Sequence, residues 1–113
     1  MSQKNREKLD RPALDRVAKL FSAFSDGTRL AILQELMEGR LTVGELVSRV
    51  GGSQGNVSKQ LQLLHDSDLL SREKEGNQVF YSISDQIVVE LCQLVCEKLN
   101  RDSQAAAALS FEI

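Results

Sequence analysis

The sequence predicts a mainly α domain that closes on one small β-hairpin, the arrangement of a winged helix-turn-helix. Three observations carry that expectation. Two amphipathic helix patterns, at residues 42–50 and 54–66, are separated only by Gly51-Gly52 and the capping Ser53. After Leu69-Leu70 the apolar period shortens from three-and-four to two, which marks a change from helix to strand. Glu75-Gly76-Asn77 then divides the two-residue-period stretch into a pair of strands, because Gly and Asn accept the positive φ that a tight hairpin turn demands.

The 113 residues are 42% hydrophobic and 27% charged, the make-up of one ordinary domain, read as a polar arm over 1–10, the domain over 11–100 and a tail over 101–113. A domain of this size buries only around two thirds of the surface its unfolded chain exposes, so a second subunit covering apolar helices would add stability. No apolar run approaches the roughly 18–20 residues that span a bilayer, and the N-terminal MSQKNREKLDR lacks the apolar centre of a secretory signal. A cytoplasmic protein with no membrane partner is expected. The formal charge of −2 works against holding nucleic acid by bulk electrostatics. Lys59, Arg72 and Lys74 stand beside Asp66, Asp68, Glu73 and Glu75, so any basic surface must come from how side chains are sorted, with Arg40 and Arg49 as candidates to enlarge it.

Taken in order, Asp10 followed by Pro12 caps a first helix running to about Phe24, whose Leu14, Val17, Leu20, Phe21 and Phe24 form one apolar stripe. Ser25-Asp26 restarts the chain into a second helix with Leu30, Ile32, Leu33, Leu36 and Met37, ended by Gly39. Thr42 and Glu45 have capping-box spacing and open a short helix buried through Val43, Leu46 and Val50. Ser53 caps the next helix. Its Val57, Leu61 and Leu64 fall within about 60° on a 100°-per-residue wheel and must face the core, which turns Gly55, Lys59, Gln62 and Asp66 outward with Asn56 and Ser58 at their flanks. A small, hydrogen-bonding outer face is what a groove-reading helix needs, since Lys, Gln, Asn and Ser can address base edges and phosphates. On the hairpin, Arg72 and Lys74 near the Gly76-Asn77 tip could lie along a phosphate backbone, or the alternating charges could serve as a solvated edge. From Ser84-Asp85 a last helix runs to about Asn100, with an apolar arc of roughly 200° that one small domain cannot easily cover. Part of that arc is expected to pack on the first helix and part on a partner's copy across a two-fold axis.

With these residues in view, the chain resembles the ArsR (ArsR/SmtB) family of small dimeric bacterial repressors over about residues 14–99. The likeness rests on FSDGTRLAIL at 24–33, LTVGEL at 41–46, SQGNVSKQL at 53–61 and GNQVFY at 76–81. Gly27 departs from the proline usual at that place. The resemblance implies a homodimer formed through the first and last helices, binding double-stranded operator DNA and repressing transcription until an inducer loosens it. It implies DNA contacts from Ser53, Gln54, Asn56, Ser58, Lys59 and Gln62, with Arg72, Lys74 and Asn77 on the wing. Metal sensors of the family often carry a cysteine pair just before the recognition helix, where this chain has no thiol, and Gln86, Ile87, Glu97 and Lys98 replace the Asp and His of others. No metal site of the zinc, nickel or cobalt type and no cofactor is expected.

Cys92 and Cys96 lie one helical turn apart on the apolar arc. As candidate sensor thiols they would answer to an oxidant, reactive sulfur or a soft metal, whereas as small hydrophobes they would simply pack. Ser53, Ser58 and His65 come with no nucleophile elbow, carboxylate pair or phosphate loop, so no enzyme is expected. The alternative to an operator-binding regulator is a winged-helix module that binds protein, which the acidic balance mildly favours.

Overall fold

A computed structural model describes residues 7–103 and 111–112. The expected arm is therefore covered only from residue 7, and most of the expected tail lies outside the described residues. The helices are α1 (Arg11–Ala23), α2 (Gly27–Leu36), α3 (Val43–Val50), α4 (Gln54–Asp66) and α5 (Ile87–Asp102), with strands β1 (Leu41–Thr42), β2 (Leu70–Glu75) and β3 (Gln78–Ile83).

Local chemistry sets most of the boundaries. The Asp10 side chain accepts from the Ala13 amide at 3.0 Å, Asp26 from Arg29 at 3.0 Å and Ser53 from Asn56 at 3.1 Å. Thr42 and Glu45 complete the capping box, Glu45 N donating to Thr42 Oγ1 and Thr42 N to Glu45 Oε1. Each such cap is worth about 1 kcal/mol and fixes where a helix begins. The end of α4 is less ordinary. Asp68 adopts φ 60°, Leu69 N donates to Leu64 O, and Asp68 N donates to His65 O. These are the two bonds of a Schellman close, with aspartate in the left-handed position that glycine usually fills.

The sheet has three antiparallel strands in the order β1-β3-β2, one more than the expected hairpin. Leu41 pairs with Tyr81 and Thr42 with Phe80, so the short stretch before α3 ties the base of the wing to the helix-turn-helix. Only Gly76 of the hairpin tip takes a positive φ, at 62°; Asn77 does not, so the expectation that both would is corrected to the pattern of a type II′ turn. The last helix starts at Ile87 rather than at Ser84-Asp85, with Asp85 Oδ1 accepting from the Ile87 amide at 2.9 Å. Its far end reaches Asp102, two residues past Asn100.

The core forms where α2, α3, α4 and the sheet meet. Ile32, Leu33, Leu46, Val57, Leu61 and Leu64 are wholly buried, and Leu41, Leu70 and Tyr81 close the sheet side. The α1–α5 side is different. Leu14, Val17 and Phe21 on α1 and Leu94, Val95 and Leu99 on α5 are exposed. Leu20 and Ala23 of α1 and Ile87 and Val88 of α5 join the same core, while farther along α5 an apolar cavity of about 460 Å³ is lined by Phe21, Phe24, Leu91, Val95 and Leu99 among others.

Candidate nucleic-acid interface

Three fully buried residues, Val57, Leu61 and Leu64, fix the rotation of α4 about its own axis. Their burial leaves Gly55, Lys59, Gln62 and Asp66 exposed with Asn56 exposed and Ser58 half-buried at their flanks, the outward set expected from the helical wheel, and Gln54, implied by the resemblance, is exposed as well. Ser53 sits at the start of that face with its hydroxyl committed to the cap. The turn that aims α4 passes through Gly51 at φ 88° and Gly52 at φ 85°, two consecutive positive values that a residue with Cβ adopts only under strain.

The outward side chains differ in how free they are. Gln62 Nε2 donates to Asp66 Oδ1 at 2.8 Å and its Oε1 accepts from Arg72 Nη1 at 3.4 Å. Asn56 Oδ1 accepts from Gln60 Nε2 at 3.2 Å. Among the described residues, Lys59 makes no hydrogen bond or ion pair, so its ammonium is available to an outside anion.

Strand register sorts the charges of the wing. Residues directly paired across an antiparallel ladder share a face, so Arg72 opposite Tyr81 and Lys74 opposite Val79 lie on one side. Glu73 opposite Phe80 and Glu75 opposite Gln78 lie on the other. The Arg72–Gln62 bond shows which side faces α4: the one carrying the cations. Asn77 is exposed at the tip. Thus a segment whose formal charges cancel in sequence presents its positive charges beside the outward face of α4.

Arg40 and Arg49, considered as additions to that positive surface, are instead engaged with carboxylates. Arg40 forks onto Glu75, raising its own pKa and, through that hydrogen bond and its charge, holding the Glu75 carboxyl below the usual range. Arg49 Nη1 meets Glu35 at 3.4 Å.

Two residues that the sequence reading passed over connect the interface to the rest of the domain. Arg29 donates to Ala23 O and Ser22 O at 3.0 Å each and to Gln60 Oε1 at 2.8 Å, which ties the C-terminal carbonyls of α1 to the middle of α4. Arg29 lies within the motif at 24–33, but its partner is 31 positions away and no local pattern announces it.

The candidate sensor thiols line the apolar cavity beside Phe21 and Phe24. Cys92 is 6% exposed, and burial with a further push from Cys96 raises its pKa. Cys96 is half-buried. Among the described residues no three His, Cys, Asp or Glu side chains gather in a way that could hold a metal ion, and no helix is long and apolar enough to cross a membrane.

A helix aimed by a two-glycine turn, with an exposed polar face and a wing whose cations stand on the same side, defines a winged helix-turn-helix regulator of transcription. Residues 26–72 match the family described as bacterial regulatory protein, arsR family. The chain is 38% identical over 80 residues to a probable mercury resistance operon repressor of Streptomyces lividans, covering 71% of this chain and 64% of that one. It is 32% identical over 95 residues to the biofilm growth-associated repressor of Xylella fastidiosa, covering 80% and 82%. Among solved structures, the antimony-specific transcriptional repressor AntR superposes with a TM-score of 0.77 at 31% identity, over 91% of this chain and 94% of that chain. A homodimeric winged helix-turn-helix DNA-binding domain from Mycobacterium bovis gives 0.70 at 31% identity, over 88% and 92%. The chain belongs to the ArsR family.

Proposed function

We propose that this chain acts as a homodimeric, sequence-specific repressor that places α4 of each protomer in the major groove of an operator half-site. Ser53, Gln54, Asn56, Ser58, Lys59 and Gln62 address bases and phosphates there, while Arg72, Lys74 and Asn77 of the wing follow the backbone. The observation that carries this reading is the sorting of charge: the cations of β2 share a side with the unpaired Lys59, although the chain as a whole is acidic. Low net basicity goes with weak non-specific affinity and leaves discrimination to base-edge contacts. Site of action is the cytoplasm, where an operator is reached. Pairing of protomers uses the exposed apolar faces of α1 and α5, and the similar Mycobacterium bovis domain is itself homodimeric.

Release by an inducer, whether an oxidant, reactive sulfur or a soft metal, would fall to Cys92 and Cys96. The burial of Cys92 favours packing over sensing, because a thiol kept protonated is a poor nucleophile and a poor ligand. Peroxide, persulfide or arsenite treatment followed by thiol titration and a DNA-release measurement separates the two roles.

Replacing Lys59 and Gln62 together with Ala tests the function itself. Retention on a duplex selected from a random pool by the unaltered protein is expected to fall by about two orders of magnitude, with secondary structure and protomer association unchanged. Unaltered retention by the double variant would count against this face of α4, and failure of the unaltered protein to select any duplex would favour the protein-binding alternative.

A further inference from the structure

Arg40 belongs neither to α4 nor to the wing, yet it closes on the wing's far face from the segment between α2 and β1. Its Nη1 donates to Glu75 Oε2 at 2.6 Å and its Nη2 to Glu75 Oε1 at 3.1 Å, a two-pronged pair. Glu73 Oε1 stands 3.9 Å from the same guanidinium, which lies 4.0 Å from the centroid of the Phe80 ring. Two carboxylates and an aromatic face thus converge on one cation, while Arg72 and Lys74 occupy the opposite side of the strand.

The charge balance of the wing depends on that contact. Arg72 and Lys74 against Glu73 and Glu75 sum to zero, and Arg40 brings the cluster to one positive charge. Duplex DNA presents one negative charge per about 1.7 Å of axis, so two uncompensated carboxylates on a strand that approaches it would be repelled. An exposed ion pair adds little to folding, which leaves binding as the property it controls. Both Nη groups are already directed at Glu75, so a direct phosphate contact by Arg40 would first have to break that pair.

We propose that Arg40 is a positioning residue for DNA binding that acts through Glu75 and Glu73, neutralising the wing's carboxylates so that Arg72 and Lys74 meet phosphates unopposed. The proposal rests on the DNA-binding reading above.

The test compares the unaltered chain with Arg40→Ala, with Glu73→Gln/Glu75→Gln and with the triple variant, each binding a duplex of about 30 base pairs selected from a random pool by the unaltered protein. Arg40→Gln serves as a second replacement, and thermal unfolding verifies that each variant is folded. Loss of Arg40 is expected to weaken binding about tenfold. The paired Glu→Gln changes are expected to bind at least as tightly as the unaltered chain, and the triple variant to recover to within about twofold of them. Recovery is the decisive readout, because a purely structural role in wing folding, or a direct phosphate contact, would leave the triple variant as weak as Arg40→Ala. That outcome, or full binding by both Arg40 variants, overturns the proposal while the DNA-binding reading stands. Failure of the unaltered protein to enrich any duplex overturns both.

Discussion

The half of the molecule that carries α3, α4 and the wing and the half that carries α1 and α5 are finished to different degrees. In the first, Leu46, Val57, Leu61 and Leu64 are wholly buried within one protomer. In the second, Phe21 is 59% and Leu94 63% exposed, with Leu14 and Val95 at 49% each. At about 25 cal/mol for each square ångström of apolar surface removed from water, a stripe of this kind on two helices is a strong inducement to associate. The contrast separates two regions: the α4 side is closed by its own protomer's core, whereas the α1 and α5 faces are left for the partner that the proposed function calls for.

That contrast can be broken in several places. The largest effect is expected from Leu61→Ala, which opens a cavity under the reading helix and should cost about 2–5 kcal/mol in urea unfolding; a cost below 1 kcal/mol would show that α4 is not held by its inward face. Next comes Phe21→Glu with Leu94→Glu, which charges the open face. By sedimentation, the dissociation constant of the dimer is expected to rise about 30-fold or more, with the α4 half still folded by circular dichroism, and an unchanged constant would place the interface elsewhere. Asp68→Gly should stabilise the chain by about 0.5–1 kcal/mol in the same urea assay, because it removes the left-handed strain at the end of α4; any destabilisation would mean the aspartate side chain has another task. The smallest effect is a loss of stability in acid. The carboxyls of Glu45 and Glu75 are held below their ordinary 4.5 by the Thr42 backbone bond and by Arg40, so their contributions are present above that pH and fade as pH falls through the lowered values. Glu45→Gln and Glu75→Gln should flatten that acid limb, and both residues lie in the finished half.

What was legible in the residues was mostly local. Asp10, Asp26, Thr42 with Glu45, and Ser53 each announce a helix start through bonds reaching only three positions, and all four caps are found. The inward face of α4 followed from periodicity alone, because a helix with three apolar residues on one side has one way to sit on a core. Pairings between distant segments were not legible. Strand β1 has two residues and overlaps a stronger helix-start signal, so its partnership with Tyr81 and Phe80 leaves no period to read. Arg40 and Arg49 looked like spare positive charge until Glu75, 35 positions away, and Glu35 were found against them. Asp68 lacked the glycine that normally signals a left-handed helix end. The outward direction of the proposed DNA-contacting side chains was therefore readable in advance, whereas their pairing with one another, as in Gln62 with Arg72 and Asp66, was not.

Thr42 holds two posts at once: it is the final residue of β1, paired with Phe80, and its hydroxyl starts α3. A hinge has been removed by this economy. Strand β3 and the first turn of α3 share a single anchor, so the hairpin and the helix pair meet at one residue with no linker between them.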